Sequence, residues 1–142
     1  MPFECGDVPD PSYFDGKTTQ KAIDFLRKAG DNNKPFFLAV GFLKPHLPFN
    51  APKKYWDIYN PAEIGIADNP NPPVDAPRQA IHNWGELRQY YSIPEKGALT
   101  DSAANKLRHG YYACVSYTDS QVGMLLNEIE KNGLAEDRKS TR

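Results

Sequence analysis

The sequence is short of most features that give a function away. It has two cysteines, Cys5 and Cys114. They are too few for a disulfide framework, and no histidine–cysteine cluster of the kind a zinc site needs lies near either. No run approaches the ~18 apolar residues of a transmembrane helix. The opening MPFECGDVPD has neither the basic nor the apolar region of a signal peptide. A formal net charge of −1 supplies no global field toward nucleic acid or anionic membrane, so any anion recognition has to be local. Basic residues do not interleave with the aromatic ones in a stripe, which argues against nucleic-acid binding. There is no G-x-S-x-G, P-loop, G-x-G-x-x-G or H-E-x-x-H pattern. Asp7, Asp10 and Asp15 lack the alternation of a calcium-binding loop.

What is present fits one α/β domain. Hydrophobic residues make up 39% and charged residues 25% of 142, too apolar for disorder and enough for a core. DGKTTQKAIDFLRKAG, with Asp15 as N-cap and Gly30 past its end, is expected to form a helix whose apolar face is Ala22, Ile23, Leu26 and Ala29. After the polar turn DNNK, the run PFFLAVGFL lacks period-two alternation and is expected to be a strand covered on both faces. Pro52 is placed at the start of a short helix carrying Tyr55, Trp56 and Tyr59. Residues 60–77 are a proline-rich loop, 78–92 are helical in part, and 93–101 are loop again. From Ser102 to Asn132 an apolar stripe through Ala104, Leu107, Tyr111, Cys114, Val115, Val122, Leu125, Leu126 and Ile129 marks a long helix closed by Gly133.

A lone covered strand leaves its backbone groups unpaired, which is costly in a buried setting. No second run reads as its partner, so the expectation is that further strands are encoded elsewhere. The polar AEDRKSTR stands where another would begin.

The candidate chemistry follows that strand. Ligands of open α/β sheets bind outside the carboxyl ends of strands, and Lys44 and His46 stand there, with Pro45 between them and Pro48 beyond. A lysine point charge and a histidine donor suit an anion, and the imidazole could equally protonate a leaving group. The plain alternative is a loop histidine bonded to a nearby carbonyl. His82, beside Trp84, could face a ligand; His109 on the long helix is read as solvated or packed.

Two stretches, PFFLAVGFLKPHLPF and YYACVSYTDSQVGMLL, together with DVPDPSYFDGKTTQKAIDFL before them, resemble the sulfatase family in its iduronate-2-sulfatase-like branch. The resemblance implies a partial alkaline-phosphatase-like α/β fold, one buried strand flanked by helices and long proline-rich loops. Residues 1–142 would be the central part of a catalytic domain that hydrolyses sulfate esters, such as those of sulfated carbohydrates. It implies a formylglycine nucleophile, made within C/S-x-P-x-R, and a calcium ion. CGDVP and CVSYT do not match that motif, and the acidic metal-binding segments are missing. His46 matches the family histidine that contacts sulfate, and Lys44 matches the motif beside it. By family analogy the compartment is periplasmic, secreted or lysosomal, the partners are the sulfated substrate and the remainder of the domain, and the chain alone is expected to be inactive. Two alternatives remain: a phosphodiesterase or phosphatase of the same superfamily, and a stand-alone interaction module.

Overall fold

A computed structural model of the chain describes residues 1–32, 34–82 and 84–135. Its spine is the long helix, α5 (Asp101–Lys131), preceded by β1 (Phe3–Gly6), α1 (Phe14–Asn32), β2 (Phe49–Pro52), α2 (Lys53–Trp56), α3 (Pro61–Ile64) and α4 (Gly85–Arg88). The Thr100 hydroxyl accepts from the Ala103 N–H and caps the start of α5. At its other end Gly133 adopts φ 66°, Gly133 N–H donates to Glu130 O, and Leu134 N–H donates to Ile129 O. That pair of bonds satisfies the last carbonyls, as expected for a glycine just past a helix.

α1 and α5 run parallel, joined near one end by Gly16 and Tyr117 and near the other by Arg27 and Glu128. Gly16 N–H donates to the Tyr117 hydroxyl at 2.6 Å. The Arg27 guanidinium forks onto Glu128 at 2.7 and 3.2 Å. Ala22, Ile23 and Leu26 are buried as the helical spacing requires. Asp15 lies inside the first turn rather than capping it, and α1 runs on past Gly30 to Asn32.

β1 and β2 form a two-stranded parallel sheet, with Phe3 opposite Phe49 and Gly6 opposite Pro52. Parallel neighbours need a crossover, and α1 lies within it. Against β2 sits the core of Ala51, Tyr55, Trp56, Ala113, Cys114 and Tyr117, bordered by Phe3, Tyr13 and Phe49.

Two further expectations are corrected. Residues 35–43 form no ladder: none of the described residues pairs with the backbone of residues 37–42. Half-burial instead alternates, with Phe36, Leu38, Val40 and Phe42 turned inward and Phe37 left 91% exposed. An apolar run sets where a strand belongs, but a ladder needs a second backbone. The α5 stripe also divides. Leu107 and Cys114 face inward with Gly110, Ala113 and Tyr117, whereas Tyr111, Val115, Val122 and Leu126 are exposed. The small residues win the inner face because they admit close approach: a Cβ on Gly110 would lie 2.8 Å from Trp56 Cη2 and 2.9 Å from Phe49 Cβ. Among the described residues of 78–92 only α4 and a 3-10 turn at Arg78–Ala80 are helical. Most of the polar tail, residues 136–142, lies outside the described residues.

Candidate functional site

The turn carrying Lys44 and His46 is held from two helices. The buried Asp15 carboxylate of α1 accepts from the Leu43 and Lys44 N–H groups at 3.0 and 2.9 Å. Thr118 of α5 donates its hydroxyl to Lys44 O at 3.3 Å. His46 N–H returns to Leu43 O at 3.0 Å and closes the turn. The Lys44–Pro45 and Leu47–Pro48 peptide bonds are both cis.

The clamp aims the Lys44 and His46 side chains differently. Lys44 Nζ donates to His46 O at 3.1 Å and Pro48 O at 2.6 Å. An ammonium has three N–H donors, so one is left for an external anion. The His46 ring is 69% exposed and its Nδ1 lies 3.0 Å from Leu47 O. A carbonyl only accepts, so Nδ1 carries the hydrogen. Nε2 is then the nitrogen offered outward, as a lone pair in the neutral ring and a donor in the protonated one. Glu86 Oε1 stands 3.7 Å from Nδ1, close enough for charge attraction and too far for a hydrogen bond.

The other histidines are set apart from this turn. His82 Nδ1 accepts from Trp84 N–H at 2.9 Å, and the two rings meet edge to face at 5.2 Å. His109 is buried and packed on Trp56 at 4.8 Å, with Nε2 2.8 Å from Trp56 O. Its Nδ1 is buried without a partner among the described residues.

Sequence reasoning missed a second polar cluster. Asp10 Oδ2 accepts from the Tyr55 hydroxyl at 2.7 Å and Gln121 Nε2 at 2.9 Å, and Lys54 Nζ lies 2.7 Å from Oδ1. Burial pushes the Asp10 pKa up, but Lys54, Tyr55 and Gln121 outweigh it and hold it below the ordinary value. Asp15 and Asp10 gave no local signal, because each serves groups far along the chain.

Next to the turn an apolar cleft of about 610 Å³ opens between α4, the start of α5 and the residue 66–70 loop. Leu47, the neighbour of His46, forms part of its rim.

The family model described as Sulfatase matches residues 3–138. The chain belongs to the sulfatase family. It is 36% identical over 141 residues to iduronate 2-sulfatase of Mus musculus and 37% identical over the same length to that of Homo sapiens, in each case across 94% of this chain. An arylsulfatase of Clostridium perfringens is 28% identical over 118 residues, 80% of this chain. The chain spans about a quarter of the length of these relatives, 25%, 26% and 22% respectively.

Sulfatases generally use a formylglycine and a divalent metal, and the described residues fit neither. No group of three or more histidine, cysteine, aspartate or glutamate residues among them could hold a metal ion. Cys114 is buried and desolvation pushes its thiol up to about 12, so it is not a nucleophile. Cys5 is exposed, but partial burial raises its pKa too, against the pull of Lys106 and Lys53. Among the described residues no helix is long and apolar enough to cross a membrane.

Proposed function

We propose that this chain is the central part of a sulfatase catalytic domain and displays His46 to the sulfate group of a sulfate ester. The observation that carries the reading is the clamped turn: Asp15 and Thr118 fix its backbone, and the Nδ1–H bond to Leu47 O leaves Nε2 facing outward. A protonated Nε2 donates to a sulfate oxygen or to the departing alcohol oxygen, where negative charge grows as the S–O bond breaks. Lys44 adds its remaining N–H and a fixed positive charge behind the turn. The nucleophile and metal ligands belong to other segments of the longer domain. Placement outside the cytosol, in the periplasm, lysosome or secreted fraction, follows from the family alone.

The test is kinetic, in a polypeptide that joins this chain to the nucleophile and metal segments. His46→Gln is expected to lower kcat by roughly 10²-fold or more on alkyl sulfates, the usual scale for a positioned acid or charge-stabilising donor. The loss should shrink on 4-nitrophenyl sulfate, whose leaving group needs no proton. Unchanged kcat in a folded variant would sink the assignment. An equal loss on both substrates would keep the sulfate contact and remove the acid role.

A further inference from the structure

We propose that Lys44 is the positioning residue of His46. Its ammonium bonds His46 O at 3.1 Å and Pro48 O at 2.6 Å, and so brackets Leu47. Leu47 O is the group that fixes the His46 ring, through Nδ1 at 3.0 Å. The staple therefore decides which ring nitrogen faces outward.

The two helices grip the near side of the turn, with Asp15 on the Leu43 and Lys44 N–H groups and Thr118 on Lys44 O. On the far side Pro48 has no N–H to anchor. Among the described residues the next backbone donor with a partner is Phe49 N–H, on Pro2 O at 2.8 Å. Lys44 closes that gap from a residue whose own backbone is held at both ends. An ammonium suits the task, because its three N–H groups diverge from one point and its charge strengthens each bond. That charge is also felt inside the protein: burial raises the Cys114 thiol, and Lys44 pulls it back. The staple bonds lie within residues 44–48, so they need no open surface.

The chain's three histidines make the staple readable. His46 carries its hydrogen on Nδ1, since Leu47 O only accepts. His109 turns Nε2 to Trp56 O at 2.8 Å and carries its hydrogen there. His82 accepts at Nδ1 from Trp84 N–H, which leaves its hydrogen on Nε2. His46 is thus the one Nδ1–H tautomer of the three when the rings are neutral.

In the ¹⁵N-histidine-labelled chain at about pH 9, where imidazoles are neutral, one ring should show the Nδ1–H pattern. Lys44→Met keeps the length of the side chain and removes the bonds. It should move that ring to the Nε2–H pattern preferred by a free histidine. The His109 ring should stay unchanged as the folding control. The variant strands no buried carbonyl, because the His46 O bond is exposed and Pro48 O keeps Asn50 N–H at 2.9 Å. No Nδ1–H ring in the parent chain, or an unchanged one in Lys44→Met, would overturn the proposal.

The consequence for turnover rests on the proposed function. In the longer polypeptide Lys44→Met should lower kcat on an alkyl sulfate about tenfold, as a displaced acid does. Most of that loss should vanish in a His46→Gln background, where there is nothing left to position. An undiminished loss there would mean that Lys44 acts on the sulfate directly, and would overturn the positioning role. A lost Nδ1–H ring in Lys44→Met, with kcat unmoved by His46→Gln, would overturn the proposed function and leave the staple standing.

Discussion

Replacing Asp15 by alanine strips the turn before His46 of both acceptors for its Leu43 and Lys44 N–H groups. Two donors then lose a charged, buried partner, which is expected to cost about 3 kcal/mol in denaturant unfolding. Asp15→Asn keeps one acceptor and should lose about half of that. A loss no larger than that of a surface substitution would contradict the clamp. Asp10 makes a prediction of opposite origin, in pH. Its folded pKa lies below the ordinary 3.8, so its contribution is full above that value and disappears as pH falls through the lower folded value. Asp10→Asn should therefore flatten the stability profile below about pH 4, as read by unfolding at a series of pH values. At this scale the exposed turn carrying His46 was legible from its prolines, KPHLP. Asp15 was not, since a carboxylate serving a backbone 28 residues away leaves no mark on its own neighbours.

Among the elements, α1 and α5 were legible because period 3.6 holds over many turns, and Gly133 marked the end of α5, whereas the ends of α1 were misplaced at Asp15 and Gly30. β1 and β2 were not: each is four residues long, FECG and FNAP, without alternation and with a proline in the second. The choice of inner face on α5 also escaped periodicity, because two apolar stripes compete and close approach decides. Gly110→Ala tests that choice. It gains ~1 kcal/mol of helix propensity but forces a methyl against Trp56 and Phe49, an overpacking cost of ~1–3 kcal/mol. The expected result is a lower denaturation midpoint at unchanged slope. A stabilised variant would mean that α5 and β2 are not in close contact.

Seen as a whole, the molecule is a helical layer and a small parallel sheet bearing one extended apolar segment, whose backbone at residues 37–42 nothing among the described residues pairs. That segment ends in the turn whose backbone Asp15 and Thr118 hold, so the unpaired run and the displayed imidazole are one structural feature. The proposed longer domain accounts for both, with further strands beside residues 37–42 and a sulfate outside the carboxyl end of the run. The most direct measurement is a crystal structure of that longer polypeptide with a sulfate ester or inorganic sulfate in its active site. The account predicts His46 Nε2 within about 3 Å of a sulfate oxygen and Nδ1 still on Leu47 O. A sulfate held at the nucleophile with His46 Nε2 out of hydrogen-bond reach would contradict it.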